Sequence, residues 1–577
     1  MIDSDTTDAS SPQDSAEEGG STPRHSEEES TGDPWLDELL SEGILKGHAR
    51  LGLAQTCLAA FVIVAVGWMT FSGTASSPFL LGDLEPLVEQ EALHHAATIS
   101  RVWDGEIGPI SAFTYSVNWL MGDSSAFPFQ ITQIFIHLMN ALLVFLLCRS
   151  LVRGGNTEAI PMAAGLVFAV HPLSTYAVNT LTDRDLLLGT FFMLLSLVLY
   201  LSAIRGERIG WMRVALSLIF FGLAWVCGAW TLVVPLLVLL ITLAVKDWSG
   251  LRKHALCVGV YFPVAALLLF QATMLSDSTI AGDALFRDAS HLEDYALAWL
   301  LPGAEPWVYM PESGAAGFPL FLAVLLVVGI VAVFKFPRMA LLVLWPACIV
   351  VGTGLGLASA GFENTHIYPA GIGFALAVSM IVDAIPKGVW RNVSGIGAAL
   401  SVFVCLGISH ARNMDWKDEI YFWSRASEDC PNCFEPNFRS GQAYQAEGDR
   451  LARSQPGEDA DAARIDRAKQ SWKTAEGFYR VAEKSGGDIA LFGSSYARVQ
   501  HSLDKIDEAI ETMGRVVASD PDDLGAIRAS AKWHGERFST GGNPEDLRAA
   551  VTYFETLELL EAITDSDCLD WEIGRAH

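Results

Sequence analysis

The sequence predicts an all-α protein in which a polytopic bundle of membrane helices is followed by an α-solenoid of paired amphipathic helices. The 577 residues are 51% hydrophobic and only 18% charged, with a mean hydropathy of +0.32. Apolar stretches of roughly 17 to 25 residues recur along the chain, which is the length that crosses the hydrocarbon core of a bilayer. After residue 437 these stretches give way to amphipathic helical patterns with regularly spaced small residues.

The two ends of the chain are acidic and lie outside the predicted bundle. Residues 1–33 contain almost no large apolar side chain and are expected to be disordered. Residues 34–50 are expected to form a short amphipathic cytoplasmic segment. Residues 572–577, EIGRAH, resemble a translated sequencing adapter, are interpreted as an adapter-derived artefact and are left out of the fold prediction. The net charge of −28 argues against nucleic acid as a partner, because phosphate binding requires Lys and Arg.

About eleven spans are predicted in a transmembrane domain over 51–410. They are expected at 51–72, 127–151, 159–175, 184–204, 212–228, 230–246, 255–275, 315–335, 339–360, 366–385 and 393–410. With the N-terminus in the cytoplasm, every cytoplasmic loop is basic, whereas the outside loops 73–126 and 276–314 each hold a single Arg. An odd number of spans then places everything after residue 411 outside the cytoplasm.

The segment outside the membrane is predicted to contain tetratricopeptide-like helical repeats over 437–570, after an interfacial junction over 411–436. RSGQAYQAEG (439–448) has the Gly-x-x-Tyr spacing of a first repeat helix. The stretch 495–523 matches the pattern of a 34-residue repeat more fully. Small residues are required at two positions, which Ala497 and Ala509 occupy, an apolar residue where Val516 lies, and a helix-stopping residue where Pro521 lies. A looser copy follows over 524–563 with an insertion at 540–542. An unrelated helical domain is the alternative.

The first outside loop is long, acidic and partly apolar. A carboxylate here, next to a lipid-borne substrate, could take a proton from an acceptor hydroxyl. For most of its acidic residues a solvated face of an interfacial helix is the favoured interpretation, with Asp83 as the exception. His94 and His95 are neighbours, and adjacent side chains on a helix point about 100° apart, so they are not expected to bind one metal ion. No metal site is predicted.

A second polar cluster lies between the third and fourth predicted spans. HPLSTYAVNTLTDRDLLLG (171–189) places His171 one loop away from Asp183, Arg184 and Asp185, at the outside boundary of the membrane. Ionisable residues at membrane depth are functional candidates by default. The alternatives are side chains that snorkel to the interface, or an Asp–Arg ion pair that merely pins the end of a helix.

The junction segment ISHARNMDWKDEIYFWSRASEDCPNC (408–433) has the pattern of an interfacial helix. Trp416 and Trp423 are seven residues apart and would share a face that anchors at the lipid headgroups. Arg412 is a cation near the predicted outside boundary. Cys430 and Cys433 are interpreted as a local disulfide or as two free thiols in an oxidising compartment.

Four stretches resemble the transmembrane and tetratricopeptide-repeat protein O-mannosyltransferases and their bacterial relatives, a family of C-type glycosyltransferases that use a polyprenyl-phosphate sugar. The resemblance covers about 51–570. His171-Pro172 with Asp-Arg-Asp resembles the family's His-Pro and Arg-x-Asp-Leu-Leu segment. The stretch 129–149, with His137 and Asn140, resembles its second span. ENTHIYPAGIGFALA (363–377) and ARNMDWKDEIYFW (411–423) resemble its Tyr-Leu-Pro stretch and its junction to the repeats.

The resemblance implies a site as well as a fold. Asp83 matches the family's catalytic carboxylate after the first span and would act as general base. Basic residues nearby would hold the lipid phosphate and stabilise charge on the leaving group. The lipid-phosphate or substrate-binding candidates are Arg184, Asp183, Asp185, His171, Arg412 and His366, with Arg101 and Arg287 as further outside cations. No cofactor is expected, since the polyprenyl-phosphate-linked sugar is a co-substrate.

Three charged positions of the family pattern are missing. Its Arg-Pro-Leu reads Gly108-Pro109-Ile110, its Lys-Glu reads Gly228-Ala229, and its Arg before the Tyr-Leu-Pro stretch reads Thr365. The sequence therefore favours a divergent transferase in the bacterial inner membrane, which moves a sugar to an extracytoplasmic protein or glycan bound by the repeats. The alternative is a catalytically inactive membrane scaffold of the same fold. A transporter is less favoured, because no inverted repeat is evident.

Overall fold

The computed structural model of the chain describes residues 53–80, 87–88, 91–94, 107–122, 125–152, 158–206, 208–275, 327–329, 331–335, 344–345, 348–349, 367–386, 388–453 and 462–559. Regular structure in these residues is helical, as predicted. The elements up to residue 415 are α1 (Leu53–Phe71), α2 (Glu91–His94), α3 (Pro109–Gly122), α4 (Phe127–Leu151), α5 (Ala159–Val170), α6 (Ser174–Asn179), α7 (Arg184–Arg205), α8 (Trp211–Cys227), α9 (Val234–Gly259), α10 (Tyr261–Leu275), α11 (Ile367–Ala384) and α12 (Val389–Asp415).

The chain is a multi-pass membrane protein. Among the described residues, six helical stretches are long and apolar enough to cross a bilayer: Ala54–Thr74, Phe127–Leu151, Leu181–Arg205, Ala229–Lys246, Trp248–Gln271 and Asn392–Asp415. Large apolar side chains such as Trp390 and Phe403 are exposed on α12, and such surface is suited to lipid contact. The number of spans stays a prediction, and the predicted spans 315–335 and 339–360 lie largely outside the described residues.

The third predicted span is shorter than expected. It was predicted over 159–175, but α5 ends at Val170 because Pro172 disfavours helical backbone at the residue before it. Its 12 residues are only about 18 Å long, less than the hydrocarbon core. The chain continues through the short helix α6 and a 3₁₀ turn, Leu181–Asp183, before α7 begins. This short crossing brings His171 and the Asp-Arg-Asp cluster to the same end of the bundle as α6.

The helix α9 is bent, although its helical backbone runs without a break. The hydroxyl of Tyr200 on α7 meets Thr242 on α9, and the ring of Tyr200 lies 5.6 Å from the ring of Tyr261 at the start of α10. In a straight helix Thr242 and Tyr261 would be about 28 Å apart, too far for one side chain to reach both. The bend therefore lies between Thr242 and Tyr261, the stretch in which the predicted span 230–246 ends and the predicted span 255–275 begins.

A buried polar stripe on α4 ties the bundle together. Its members, spaced at helical intervals along one face, are Gln130, Gln133, His137 and Asn140. The Nε2 atom of His137 donates to the Ala169 carbonyl, which can only accept, so Nδ1 accepts from the Tyr368 hydroxyl. Asn140 donates to the same hydroxyl and to the Leu187 carbonyl. These bonds fix α11 and α7 against α4.

The predicted interfacial helix at the junction is interrupted. α12 ends at Asp415, and a new helix, α13 (Glu419–Asp429), begins after Asp418, whose side chain accepts from the Tyr421 N–H as an N-cap. Trp416 and Trp423 therefore do not share a helical face, and that prediction was wrong. Trp416 is buried against Phe422 instead of anchoring at the headgroups.

Paired helices follow the junction. They are α14 (Phe434–Ala452), α15 (Ala462–Lys484), α16 (Ile489–Ser502), α17 (Ile506–Ser519), α18 (Leu524–Gly541) and α19 (Pro544–Leu559). α14 packs mainly on α15, α16 on α17, and α18 on α19. Ala497, Ala509 and Val516 are fully buried, as the repeat pattern requires. Identity with tetratricopeptide repeats remains a prediction.

Two local features of this segment concern stretches singled out in the sequence, and the disulfide is one of the two predicted states of its cysteines. The predicted insertion at 540–542 forms the end of α18 and a tight turn, in which Gly542 adopts a left-handed conformation with φ of 67°. Cys430 and Cys433 form a disulfide with Cα atoms 5.4 Å apart, between α13 and α14. Both features keep consecutive helices close together.

Candidate active site

Arg184 begins α7 and is fully buried between α3 and α4. Its guanidinium donates to Asn118 Oδ1 at 2.6 Å and to the Phe129 carbonyl at 2.9 Å. Two longer bonds reach Gln133 Oε1 at 3.2 Å and Thr114 Oγ1 at 3.3 Å. These acceptors are all neutral oxygens, and together they occupy the planar fork of donors that makes arginine suited to buried sites.

An aromatic ring also faces the Arg184 guanidinium. Its central carbon lies 4.1 Å from the ring centroid of Tyr115, a distance at which a cation is attracted to the face of an aromatic ring. The Tyr115 hydroxyl in turn donates to the Leu181 carbonyl at 2.5 Å, which fixes the ring against the turn that precedes Arg184. The cation is thus enclosed by α3 on one side and by α4 on the other.

Asp185 caps the first turn of α3. One carboxylate oxygen accepts from the Gly108 N–H at 2.9 Å, and the other accepts from Ser111 Oγ at 2.6 Å. A carboxylate at this place satisfies N–H groups that have no partner within the helix and is stabilised by the helix dipole. Arg184 and Asp185 therefore hold the same helix, α3, at two neighbouring places.

The glycine at position 108 is required by this close approach. A Cβ atom added there would lie 2.5 Å from Asp185 Oδ1. Position 108 is also where the family pattern has Arg. In this chain the carboxylate of Asp185 lies where a side chain at position 108 would begin.

The remaining predicted residues are distributed over the same end of the bundle. Asp183 is half-buried in the 3₁₀ turn before α7. His171 is buried, its Nδ1 accepts from the Leu173 N–H at 3.3 Å, and its ring lies edge-on to Phe374 at 5.7 Å. Arg412 is buried near the end of α12, within electrostatic reach of Asp415 and Asp429. Arg184 and Arg412 contact different residues, so they do not form one cationic site.

Four predicted residues, Asp83, His366, Arg101 and Arg287, lie outside the described residues. Leu80, three residues before Asp83 in the sequence, is buried in an apolar cluster with Trp416, Phe422 and Ala426. The chain that leaves α1 toward the predicted catalytic loop therefore packs on the junction between α12 and α13.

The polar groups that hold Arg184 were missed in the sequence. Gln133 donates to the Thr180 carbonyl at 2.9 Å and accepts from Arg184, so it joins α4 to the segment before α7. The sequence did contain a signal for these groups, since a Gln, His and Asn at helical spacing within an apolar span indicate a buried polar face.

Lys417 was also overlooked in the sequence. A methyl group at Gly73 would lie 3.9 Å from its ammonium nitrogen, so this cation lies beside the exit of α1.

The four stretches that carry the resemblance contact one another in space. The span residues His137 and Asn140 bind Tyr368 of the Tyr-Leu-Pro stretch. Asn179 donates to Asn413 Oδ1 at 2.7 Å, which joins the segment after His-Pro to the junction. Tyr176 meets Trp416 with ring centroids 5.6 Å apart. The resemblance therefore follows a connected set of contacts.

Comparison with known proteins confirms the resemblance to protein O-mannosyl-transferases. Protein O-mannosyl-transferase F38B6.6 of Caenorhabditis elegans is 23% identical over 163 residues, which cover 26% of this chain and 24% of that protein. Protein O-mannosyl-transferase TMTC3 of Homo sapiens is 20% identical over 195 residues, which cover 31% of this chain and 20% of that protein. The matched segments thus span about a fifth to a quarter of the curated relatives' length. No family model matches the chain.

A solved structure was also found to be similar. It is the crystal structure of ArnT from Cupriavidus metallidurans bound to undecaprenyl phosphate, with 14% sequence identity and a TM-score of 0.37. The similarity covers 86% of this chain and 82% of that one.

Proposed function

We propose that the protein is an integral membrane glycosyltransferase that moves a sugar from a polyprenyl-phosphate donor to an extracytoplasmic protein or glycan. The observation that carries this proposal is the sequence similarity to protein O-mannosyl-transferases. The contacts between the four resembling stretches support it, because they gather the family-like residues around one end of the bundle. The helical pairs after residue 434 would bind the acceptor or a partner protein.

The proposed reaction is a displacement at the anomeric carbon of the donor sugar. Asp83 takes the proton from the acceptor hydroxyl, the acceptor oxygen forms the new glycosidic bond, and the bond from the anomeric carbon to the phosphate oxygen breaks with its electron pair on that oxygen. Polyprenyl phosphate leaves with additional negative charge. A cation placed beside that oxygen would stabilise the charge as it develops.

The described cations differ in how well they suit this role. Arg184 is fully buried and bonded to four oxygens of the protein, so we propose that it positions α3, and its predicted contact with lipid phosphate stays a prediction. Lys417 is exposed beside the exit of α1 and is our candidate for the phosphate contact. Arg412 lies nearby in the sequence, but it is buried and within electrostatic reach of Asp415 and Asp429, whose negative charge disfavours a phosphate.

A cell-based comparison tests the proposal. The gene would be deleted and then restored with the wild type or with the Asp83→Ala variant, and extracytoplasmic glycoproteins would be profiled by mass spectrometry. The proposal expects a hexose modification that disappears on deletion and returns only with the wild type. Identical glycan profiles of the deletion strain and the wild type would refute transferase activity. A glycan restored by Asp83→Ala would refute the role of Asp83 alone.

A non-catalytic scaffold is the second candidate, and the positions where family charges are missing favour it. Gly108 has no space for a side chain beside Asp185, and a Cβ at Gly228 would lie 2.6 Å from the Trp230 indole nitrogen. In this chain the side chains of Asp185 and Trp230 occupy these two places, and neither place holds a phosphate-binding cation. Under this alternative the deletion strain would lose an extracytoplasmic protein complex without any change in its glycans.

A further inference from the structure

Several buried polar atoms at the junction between α12 and α13 make no hydrogen bond. They are Ser77 Oγ, Asn179 Oδ1, Trp423 Nε1 and Asp429 Oδ2. Buried polar atoms in native proteins are nearly always hydrogen-bonded, because an unpaired one loses its hydration without replacement. Unpaired donors and acceptors that collect at one place therefore indicate a ligand that supplies both.

The contacts around these atoms bring them to one place. Asn179 is joined to Asn413, the residue after Arg412. The ring of Trp423 packs on Phe422 at 4.9 Å, and Phe422 packs on Trp416 at 4.4 Å. Asp429 follows Ala426, a member of the same apolar cluster, by one helical turn.

The residues that flank Ser77 in the sequence place it beside the junction between α12 and α13. It lies between Gly73, which is adjacent to Lys417, and Leu80, which belongs to the cluster with Trp416. Its side chain is 4% exposed. The segment after α1 therefore runs beside the end of α12 and the start of α13.

Arg412 is the charged member of this group. It is only 9% exposed, and it makes no hydrogen bond or ion pair with another residue of the described ranges. Asp429 and Asp415 lie within electrostatic reach but do not bond to it. Its guanidinium therefore has N–H donors that a ligand at this place can use.

The mixture of groups identifies the ligand class. Arg412 and the Trp423 indole only donate, whereas the unpaired Asn179 oxygen only accepts and Asp429 is a carboxyl group. A phosphate offers acceptors alone and would be repelled by an ionised Asp429. A hexose offers hydroxyls that both donate and accept, so it can satisfy a mixture of donors and acceptors.

We propose that the α12–α13 junction is a hexose-binding subsite, in which Arg412, Trp423, Asp429 and Asn179 bind sugar hydroxyls. This assignment deepens the proposed function and rests on it for the origin of the sugar, which belongs either to the lipid-linked donor or to a glycan acceptor. Ser77 is placed at the edge of the subsite. Lys417 lies outside the subsite, where it could contact the phosphate that is attached to the sugar of the donor.

The test uses the full-length protein in lipid nanodiscs and saturation-transfer difference NMR, which detects weak sugar binding. Methyl hexosides of different configuration are the probes, with polyprenyl phosphate and polyprenyl-phosphate hexose as competitors. The variants are Trp423→Phe, which keeps the ring but removes the N–H group, and Asp429→Asn. Trp390→Phe on the exposed face of α12 is the matched control. Thermal unfolding of each variant would verify that it is folded.

The proposal expects one hexoside configuration to bind the wild type and Trp390→Phe equally. Its affinity would fall at least about tenfold in Trp423→Phe and in Asp429→Asn, the effect of losing one good hydrogen bond. Competition by polyprenyl-phosphate hexose would assign the subsite to the donor, whereas simultaneous binding would assign it to the acceptor.

Two results would overturn the subsite. One is equal hexoside affinity in all variants, or no hexoside binding at all. The other is displacement of the hexoside by polyprenyl phosphate without a sugar, which would indicate phosphate recognition. Neither result bears on whether glycans depend on the gene and on Asp83, so failure of the subsite and failure of the proposed function are distinguishable.

Discussion

The carboxylate of Asp185 accepts a hydrogen bond of 2.9 Å from the backbone N–H of Gly108, and so it caps a helix that lies 77 residues earlier in the chain. The neighbouring Arg184 binds the same helix through Asn118 and Thr114. The consecutive charges at the start of α7 therefore fix α3, which belongs to the predicted first outside loop together with Asp83. Through this contact the structure links the Asp-Arg-Asp cluster to the loop that holds the proposed general base.

Replacing Asp185 by Asn tests the cap. An amide keeps one acceptor oxygen but turns an N–H group toward one of the two donors, so the free energy of unfolding should fall by about 1–3 kcal/mol. Thermal unfolding in nanodiscs measures the effect. Asp522→Asn, at an exposed position, is the control and should change stability by less than about 0.5 kcal/mol. Equal effects of the two substitutions on the free energy of unfolding would mean that the cap does not stabilise the fold.

Gly108→Ala tests the close approach between α3 and α7. The added methyl group would lie 2.5 Å from Asp185 Oδ1, so the carboxylate must move and its hydrogen bonds to α3 must weaken. We expect a loss of about 1–3 kcal/mol, as for overpacking in a core. Gly222→Ala is a suitable control, because nothing lies within 4 Å of the added atom and alanine is the better helix former. A Gly108→Ala protein as stable as the control would contradict the geometry.

Arg184→Lys tests whether the shape of the cation is needed, not only its charge. An ammonium group cannot satisfy Asn118, Gln133 and the Phe129 carbonyl from one planar fork. Unpaired buried oxygens would remain, and the protein should lose about 2–4 kcal/mol of stability. Arg450→Lys, with its side chain 69% exposed, should be nearly neutral. If Arg184→Lys unfolds like the wild type, the buried network is not as described.

These predictions also show which parts of the fold were accessible from sequence. Hydropathy alone located α4 at 127–151 and α7 at 184–204, because lipid imposes its thickness on every apolar run. It gave no information on which polar groups meet, since partners such as Arg184 and Asn118 are far apart in the chain. The break after Asp415 was missed because the amphipathic pattern continues through it, although Asp418 is a good N-cap residue.

The candidate site was predictable to a smaller degree. Charge at membrane depth marked Arg184 and Asp185 as candidates for substrate binding, which stays a prediction, and the partners that the structure shows are protein groups on α3 and α4. The absence of the family's Arg at position 108 looked like a simple loss of charge. Only the three-dimensional arrangement shows that the carboxylate of Asp185 occupies that space.

The stability of the last helical pair should depend on pH through Asp546. Hydrogen bonds from Arg537, with a further one from His534, hold the pKa of Asp546 below its ordinary value of 3.8. A carboxyl group with a depressed pKa stabilises the folded state above pH 3.8, and this contribution is lost as the pH falls through the lower folded pKa. Asp546→Asn should therefore weaken α18 and α19 at pH 7 and lose its effect at low pH.

Hydrogen exchange of α18 and α19 between pH 7 and pH 3 measures that dependence, after correction for the intrinsic exchange rate. Opening of this pair in Asp546→Asn should be favoured by about 1–3 kcal/mol at pH 7. Asp504→Asn, at an 84% exposed position, is the control. A difference between wild type and Asp546→Asn that stays constant down to the lowest pH would contradict an ionised, stabilising Asp546.

Reconstituted sugar transfer tests the central claim most directly. Purified wild-type protein and the Asp83→Asn variant would be placed in liposomes with polyprenyl-phosphate mannose and an acceptor protein from the same cells, and hexose transfer would be followed by mass spectrometry. The account predicts transfer by the wild type and a rate about 10² to 10⁴ times lower in the variant, the usual contribution of a general base. No transfer by the wild type, with donor and folded protein both present, would contradict the proposed activity and favour the scaffold.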